Sequence, residues 1–130
     1  MDTPWVDGVV LIGDSAGYND PILGQGVSVT ARDARMVGEI LTQSSDWTSG
    51  MFIPYGEERK ERLRRLRMVA RFVTTLNARF GPEAEITRAR GFKRMANNPA
   101  LRGIALAAFS GPETLDAQYF EEAHWDKVFA

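Results

Sequence analysis

The chain contains no cysteine and a single histidine, His124. Disulfides, thiolate metal centres and cysteine nucleophiles are therefore excluded, and a histidine-rich metal cluster with them. No apolar run approaches the length of a membrane span. The opening MDTPWVDG is acidic and lacks the basic-then-apolar order of a secretory leader. A cytoplasmic protein with no membrane span is the expectation. The GxGxxG dinucleotide fingerprint is missing, as is a G-x-S-x-G nucleophile elbow around Ser15. There is no internal repeat and no low-complexity tract.

What is present is 130 residues of ordinary globular composition, 44% hydrophobic and 25% charged, enough for one domain's core. The net charge of −1 conceals segregation. Residues 1–50 carry two arginines against seven acids (−5), residues 51–111 thirteen cations against five (+8), and residues 112–130 one lysine against five (−4). Local charge is the informative quantity.

Residues 8–12, GVVLI, read as a short strand buried on both faces. From Gly26 the period becomes helical. Val27, Ala31, Ala34, Val37 or Gly38, and Leu41 form the expected apolar stripe, with Arg32, Asp33, Arg35 and Glu39 outward. This predicts a helix over 26–43. A second is predicted over 54–80, its stripe being Leu63, Leu66, Val69 or Ala70, Val73, Leu76 and Phe80. Helices over 83–96 and 101–109 follow, then a helical or irregular 113–123 and a last turn at 125–129. The fold class is mainly α-helical with one short β-strand. A lone strand leaves its backbone groups unpaired, so the chain is expected to be part of a longer protein, divided into segments 1–45 and 46–130.

The order strand, Gly13-Asp14, Pro21, Gly24-Gln25-Gly26 and amphipathic helix points to a ligand site. Ligands of α/β folds bind beyond the carboxyl ends of strands. An Asp there accepts hydroxyl hydrogen bonds, Gly24 and Gly26 admit a ligand close to the backbone, and the helix N-terminus favours electron-rich groups.

The stretch GVVLIGDSAGYNDPILGQGVSVTARDARMVGEIL, residues 8–41, resembles the second FAD-binding motif of flavoprotein monooxygenases related to p-hydroxybenzoate hydroxylase. YGEERKERLRRL, from Tyr55 to Leu66, resembles their C-terminal part less distinctively. The resemblance implies the C-terminal part of an α/β FAD-binding fold of glutathione-reductase type. It implies that Asp14 bonds the ribityl chain of FAD, that Gly13 allows close approach, and that Pro21 lies against the isoalloxazine. The backbone of Gly24, Gln25, Gly26 and Val27 would face the pyrimidine end, while Asp33 and Ala34 serve packing and capping. NAD(P)H would reduce the flavin, and oxygen would then hydroxylate a small organic substrate.

The family's usual GDAAH is GDSAG here, a variant also similar to geranylgeranyl-type reductases and, more distantly, flavin halogenases. The missing fingerprint would come from an N-terminal portion of the same enzyme or another chain, and a homo-oligomer is one way to supply it. The isolated chain is then expected to be inactive. The alternative is a non-catalytic helical interaction module with a degenerate flavin motif.

Seven cations lie between Arg59 and Arg71, but Glu57, Glu58 and Glu61 sit three or four residues from arginines and no aromatic residues interleave. A solvated or interdomain face is expected rather than a nucleic-acid surface. His124 reads as a surface or packing histidine, and no residue is assigned a catalytic role. Trp47, Phe52 and Tyr55 read as core.

Overall fold

The computed structural model describes residues 3–130; Met1 and Asp2, which open the predicted 1–45 segment, lie outside the described residues. The chain is mainly helical with a two-stranded antiparallel sheet. Strand β1, Trp5–Val6, pairs with β2, Val9–Val10, in the register Trp5 with Val10 and Val6 with Val9. Five helices follow: α1 Gly26–Gln43, α2 Ile53–Asn77, α3 Pro82–Asn97, α4 Gly103–Ser110 and α5 Glu122–Phe129.

The strand prediction needs correcting. Instead of a five-residue strand buried on both faces, β2 is two residues long, and Val9 is 53% exposed. Its partner is local, because Asp7-Gly8 turns the chain back on itself. Two compact units are present, one ending at Arg64 and one running from Arg65 to Ala130. The first extends past residue 45 because the opening turns of α2 belong to it.

In the first unit, Val37, Phe52 and Tyr55 form an apolar cluster, with Trp5, Val10, Ile12, Met36, Ile40 and Leu41 packed against it. Gly56 gives Trp5 room: a Cβ there would lie 2.5 Å from the indole ring. The Tyr55 hydroxyl donates to the Leu11 carbonyl at 2.8 Å. The buried face of α1 is Val29, Asp33 and Val37. Val27 is 83% exposed, and Ala31 and Ala34 are exposed too. The predicted stripe thus holds only at its Val37–Leu41 end. Hydropathy sent Asp33 outward, whereas tertiary ion pairing turns it in.

In the second unit, the later part of α2 buries Leu66, Val69, Phe72 and Leu76, and α5 buries Val128 and Phe129. Phe72 meets Trp125 edge-on at 6.5 Å and Phe129 at 5.2 Å between ring centres. Gly91 brings α3 against Phe129, since a Cβ there would stand 2.7 Å from the ring. Helix α3 starts on Pro82, with Glu83 and Glu85 in its first turn to match the dipole. Its Arg90 and Arg94 donate to the last carbonyls of α5, at Phe129, Asp126 and Lys127.

Phe80 is outside α2 and 93% exposed, so it does not continue the predicted stripe; the helix stops at Asn77. The predicted 101–109 helix is a 3₁₀ turn, Pro99–Arg102, running into α4. Residues 113–123 resolve into 3₁₀ turns at Pro112–Thr114 and Ala117–Phe120. Trp47 is 68% exposed and so is not core, while Phe52 and Tyr55 are. No helix among the described residues is long and apolar enough to cross a membrane.

Candidate functional site

Beyond β2 the chain makes two tight turns before α1. The first, Gly13–Ala16, is a 3₁₀ turn in which the Ser15 hydroxyl donates to the Ile12 carbonyl at 2.7 Å. Gly17 N–H closes it on the Asp14 carbonyl at 3.1 Å. The second, Pro21–Leu23, is capped by the Asp20 carboxylate, which accepts from Ile22 N–H at 2.9 Å. Gly24 ends that turn in the left-handed region, φ 64°, which a side chain would strain. Gln25 then carries the chain into α1.

These turns and the head of α1 enclose a cavity of about 220 Å³. Six of the seven residues marked in the sequence line it: Asp14, Pro21, Gly24, Gln25, Gly26 and Val27. Gly17, Asn19, Asp20 and Val29 complete the wall. A Cβ at Gly26 would meet nothing within 4 Å, so its missing side chain leaves open space.

Gly13 is the exception. It sits behind the cavity, buried, at φ 58°, and a Cβ there would lie 2.5 Å from the Thr30 hydroxyl. The close approach it permits is that of the turn to α1, not of a ligand to the backbone.

The wall has a definite chemical character. Asp14 and Asp20 contribute carboxylates, and no lysine or arginine lines it. The N–H groups of Gly26, Val27 and Ser28 have no intrahelical acceptor, being the first of an 18-residue helix whose dipole ends there. Asn19 presents a buried Nδ2 and Oδ1, neither with a partner. Such orphaned groups are costly unless a ligand or water satisfies them. Acceptors, a free amide and a helix head, without a cation, suit a neutral polar ligand with hydroxyl and amide-like edges better than a phosphate.

Behind the wall lies a charge cluster that the sequence reading placed in solvent. Asp33 is wholly buried, and Arg59 and Arg62 are 2% and 5% exposed. The Asp33 carboxylate accepts from Gly13 N–H at 2.9 Å, from Arg59 Nε at 2.9 Å and from Arg62 Nη2. Burial alone would raise the Asp33 pKa, but the bonds from Arg59, Arg62 and Gly13 outweigh it and hold the group below its usual value. Arg62 also grips Glu58, which pairs with Arg32 at 2.8 Å. The Arg62 guanidinium is pushed up: burial lowers its pKa, and the two carboxylates more than reverse that. Tyr55 is raised to about 12, first by burial and then by the charge of Asp33.

Asn19 and Arg59 are thus the residues that sequence reasoning missed, while Asp33, sent outward by periodicity, was given a packing and capping role by the resemblance and is buried against the Gly13 turn. Asn19-Asp20-Pro21 carries a turn signal that hints at the first. A charged residue within an amphipathic helix gives no such signal for Arg59. Among the described residues, no group of three or more metal-ligating side chains is assembled. Compared with protein-family models, curated proteins and solved structures, the chain matches none.

Proposed function

We propose that the 1–45 segment forms the flavin-end half of an FAD site, in a flavin-dependent oxidoreductase of monooxygenase type. The observation that carries this reading is convergence. Six residues spread over positions 14–27 line one cavity at a helix head, in the order and chemistry that the resemblance to p-hydroxybenzoate hydroxylase relatives implies.

The residues fit that end of the cofactor. Asp14 would accept hydroxyl hydrogen bonds from the ribityl chain. Pro21 offers a flat apolar face for the ring, and Asn19 supplies an unpartnered donor and acceptor. The head of α1 would favour negative charge at the pyrimidine edge. The pyrophosphate end fits elsewhere, because the wall has no cation and because 220 Å³ falls short of the roughly 300–1,000 Å³ of typical ligand sites. An N-terminal portion of the same enzyme or another chain, including a second copy, would complete the site.

When bound, the flavin supplies the redox chemistry, with NAD(P)H as reductant and oxygen as co-substrate for hydroxylating a small organic molecule. A cytoplasmic setting goes with that supply of reductant. The chain's own part is to bind, orient and polarise; the isolated chain is expected to be inactive.

The test is a visible absorption titration of the purified chain with FAD, alongside Asp14→Ala. Binding that shifts the flavin band and weakens by about ten-fold or more in the variant, as loss of a charge-assisted hydrogen bond implies, supports the reading. Equal binding by both proteins counts against Asp14. Absence of binding by the wild type even when a fingerprint-bearing partner is added would sink it.

A further inference from the structure

The turn that carries Asp14 is held from behind by a single side chain 42–46 residues further along the chain. Arg59 donates through Nη2 to the Gly13 carbonyl at 2.7 Å and the Gly17 carbonyl at 3.0 Å, and through Nη1 to the Ala16 carbonyl at 3.0 Å. Its Nε goes to Asp33 at 2.9 Å, and Asp33 in turn accepts from Gly13 N–H. Both ends of the 13–17 turn are therefore pinned to one guanidinium. On its far side, Asp14 is exposed and faces the cavity.

We propose that Arg59 is a positioning residue: with Asp33 as its anchor, it fixes the backbone of the 13–17 turn and so the direction in which Asp14 meets the ligand. The naming of that ligand as FAD rests on the reading above; the clamp itself rests on geometry. A buried ion pair by itself is weak grounds for stability, since desolvation offsets much of the attraction. What this arginine adds is a planar fork that reaches four acceptors on two stretches of chain, which a single ammonium cannot reproduce. Arg62 shows the contrast. It pairs with Asp33 too, yet its other partners are Glu58 and the Val29 carbonyl, on helices rather than on the turn.

The experiment uses the full chain and Arg59→Lys, which keeps the charge beside Asp33 and removes the fork. Amide hydrogen exchange is followed residue by residue, and FAD binding by quenching of flavin fluorescence. Exchange at Gly13 and Gly17 is expected to rise about ten-fold or more, with FAD affinity falling by a similar factor. Amides of Val37–Leu41 should keep their rates, and Arg64→Lys should change nothing.

Wild-type exchange at Gly13 and Gly17 in a folded Arg59→Lys chain would overturn the proposal. So would faster exchange spread evenly over α1, which marks a merely structural role, or a loosened turn with unchanged FAD affinity. If the wild type binds no FAD even with a fingerprint-bearing partner added, the cofactor reading fails, and the clamp is decided by the exchange data alone. Should Arg59→Lys not fold, Asp33→Asn, nearly isosteric and weaker as an anchor, takes the same measurements; failure of both to fold overturns the positioning role.

Discussion

The two compact units are centred on opposite kinds of chemistry. In the first, three charged side chains, Asp33, Arg59 and Arg62, lie at the centre beside a modest apolar cluster. In the second, aromatic rings pack edge-on or tilted against one another, Phe72 with Trp125 and Phe129, and Arg71 lies over Trp125 at 3.8 Å. An apolar core is non-directional and tolerates substitutions that conserve volume. A buried charge cluster is directional and fails abruptly when one member is lost. The first unit carries the candidate site, which is where fixed backbone direction matters.

The comparison breaks most sharply on truncation. Removing one partner from a buried pair costs about 3–5 kcal/mol, and truncating a buried Phe costs about the same. Asp33→Ala and Phe72→Ala are therefore both expected to lower the thermal midpoint steeply. They differ in what can be rescued. Phe72→Leu should recover much of the loss, while Asp33→Leu should recover little, because it takes from the buried Arg59 its carboxylate partner and leaves Arg62 with Glu58 alone. Equal rescue at both sites, read from denaturant melts, would erase the contrast.

Acid should separate the units by pH. His124 is buried, its Nε2 lacks a partner, and its pKa is lowered, first by burial, against its ordinary 6.5. The unfolded chain then binds the proton more readily. This contribution to the second unit is full above pH 6.5 and declines as the pH falls towards the lowered value. Asp33 is also held below its ordinary 3.8, so its contribution stays complete above that value and is lost only as the pH falls through the lowered one. Amide exchange resolved by unit should weaken in residues 65–130 first. His124→Gln should remove the earlier phase alone, and loss of protection in residues 3–64 at pH 6 would contradict this order.

Crowding is a smaller perturbation. A methyl at Gly103 would lie 2.5 Å from the Tyr119 ring, so Gly103→Ala is expected to cost about 1–3 kcal/mol by overpacking the second unit. Gly26→Ala should be neutral or stabilise by up to about 1 kcal/mol, since the site is helical and nothing lies within 4 Å, but should narrow the cavity and weaken ligand binding. Smallest of all, Arg64→Ala removes a helical pair with Glu61 whose side chains are each 44% exposed, and should change stability by less than about 0.5 kcal/mol. A melt of each variant orders these three.

Sequence alone fixed the local punctuation. Helix α1 runs over its predicted 26–43, and α3 matches 83–96 to within a residue at each end, because Gly, Pro and Asn act on their own neighbours' backbone angles. Most of the candidate site was legible for the same reason: Asp14 to Val27 is a continuous run of turn chemistry at a helix head. The Asp7-Gly8 hairpin was equally legible but was read through as strand. What only the tertiary structure decided is which face of α1 turns inward. Periodicity favoured Val27, Ala31 and Ala34, about 130° round the helix from the centre of Val29, Asp33 and Val37. Burying Asp33 is favourable only if two arginines from α2 arrive together with the Gly13 amide. That condition joins residues up to 46 apart, and a local pattern of hydrophobicity holds no information about such a meeting.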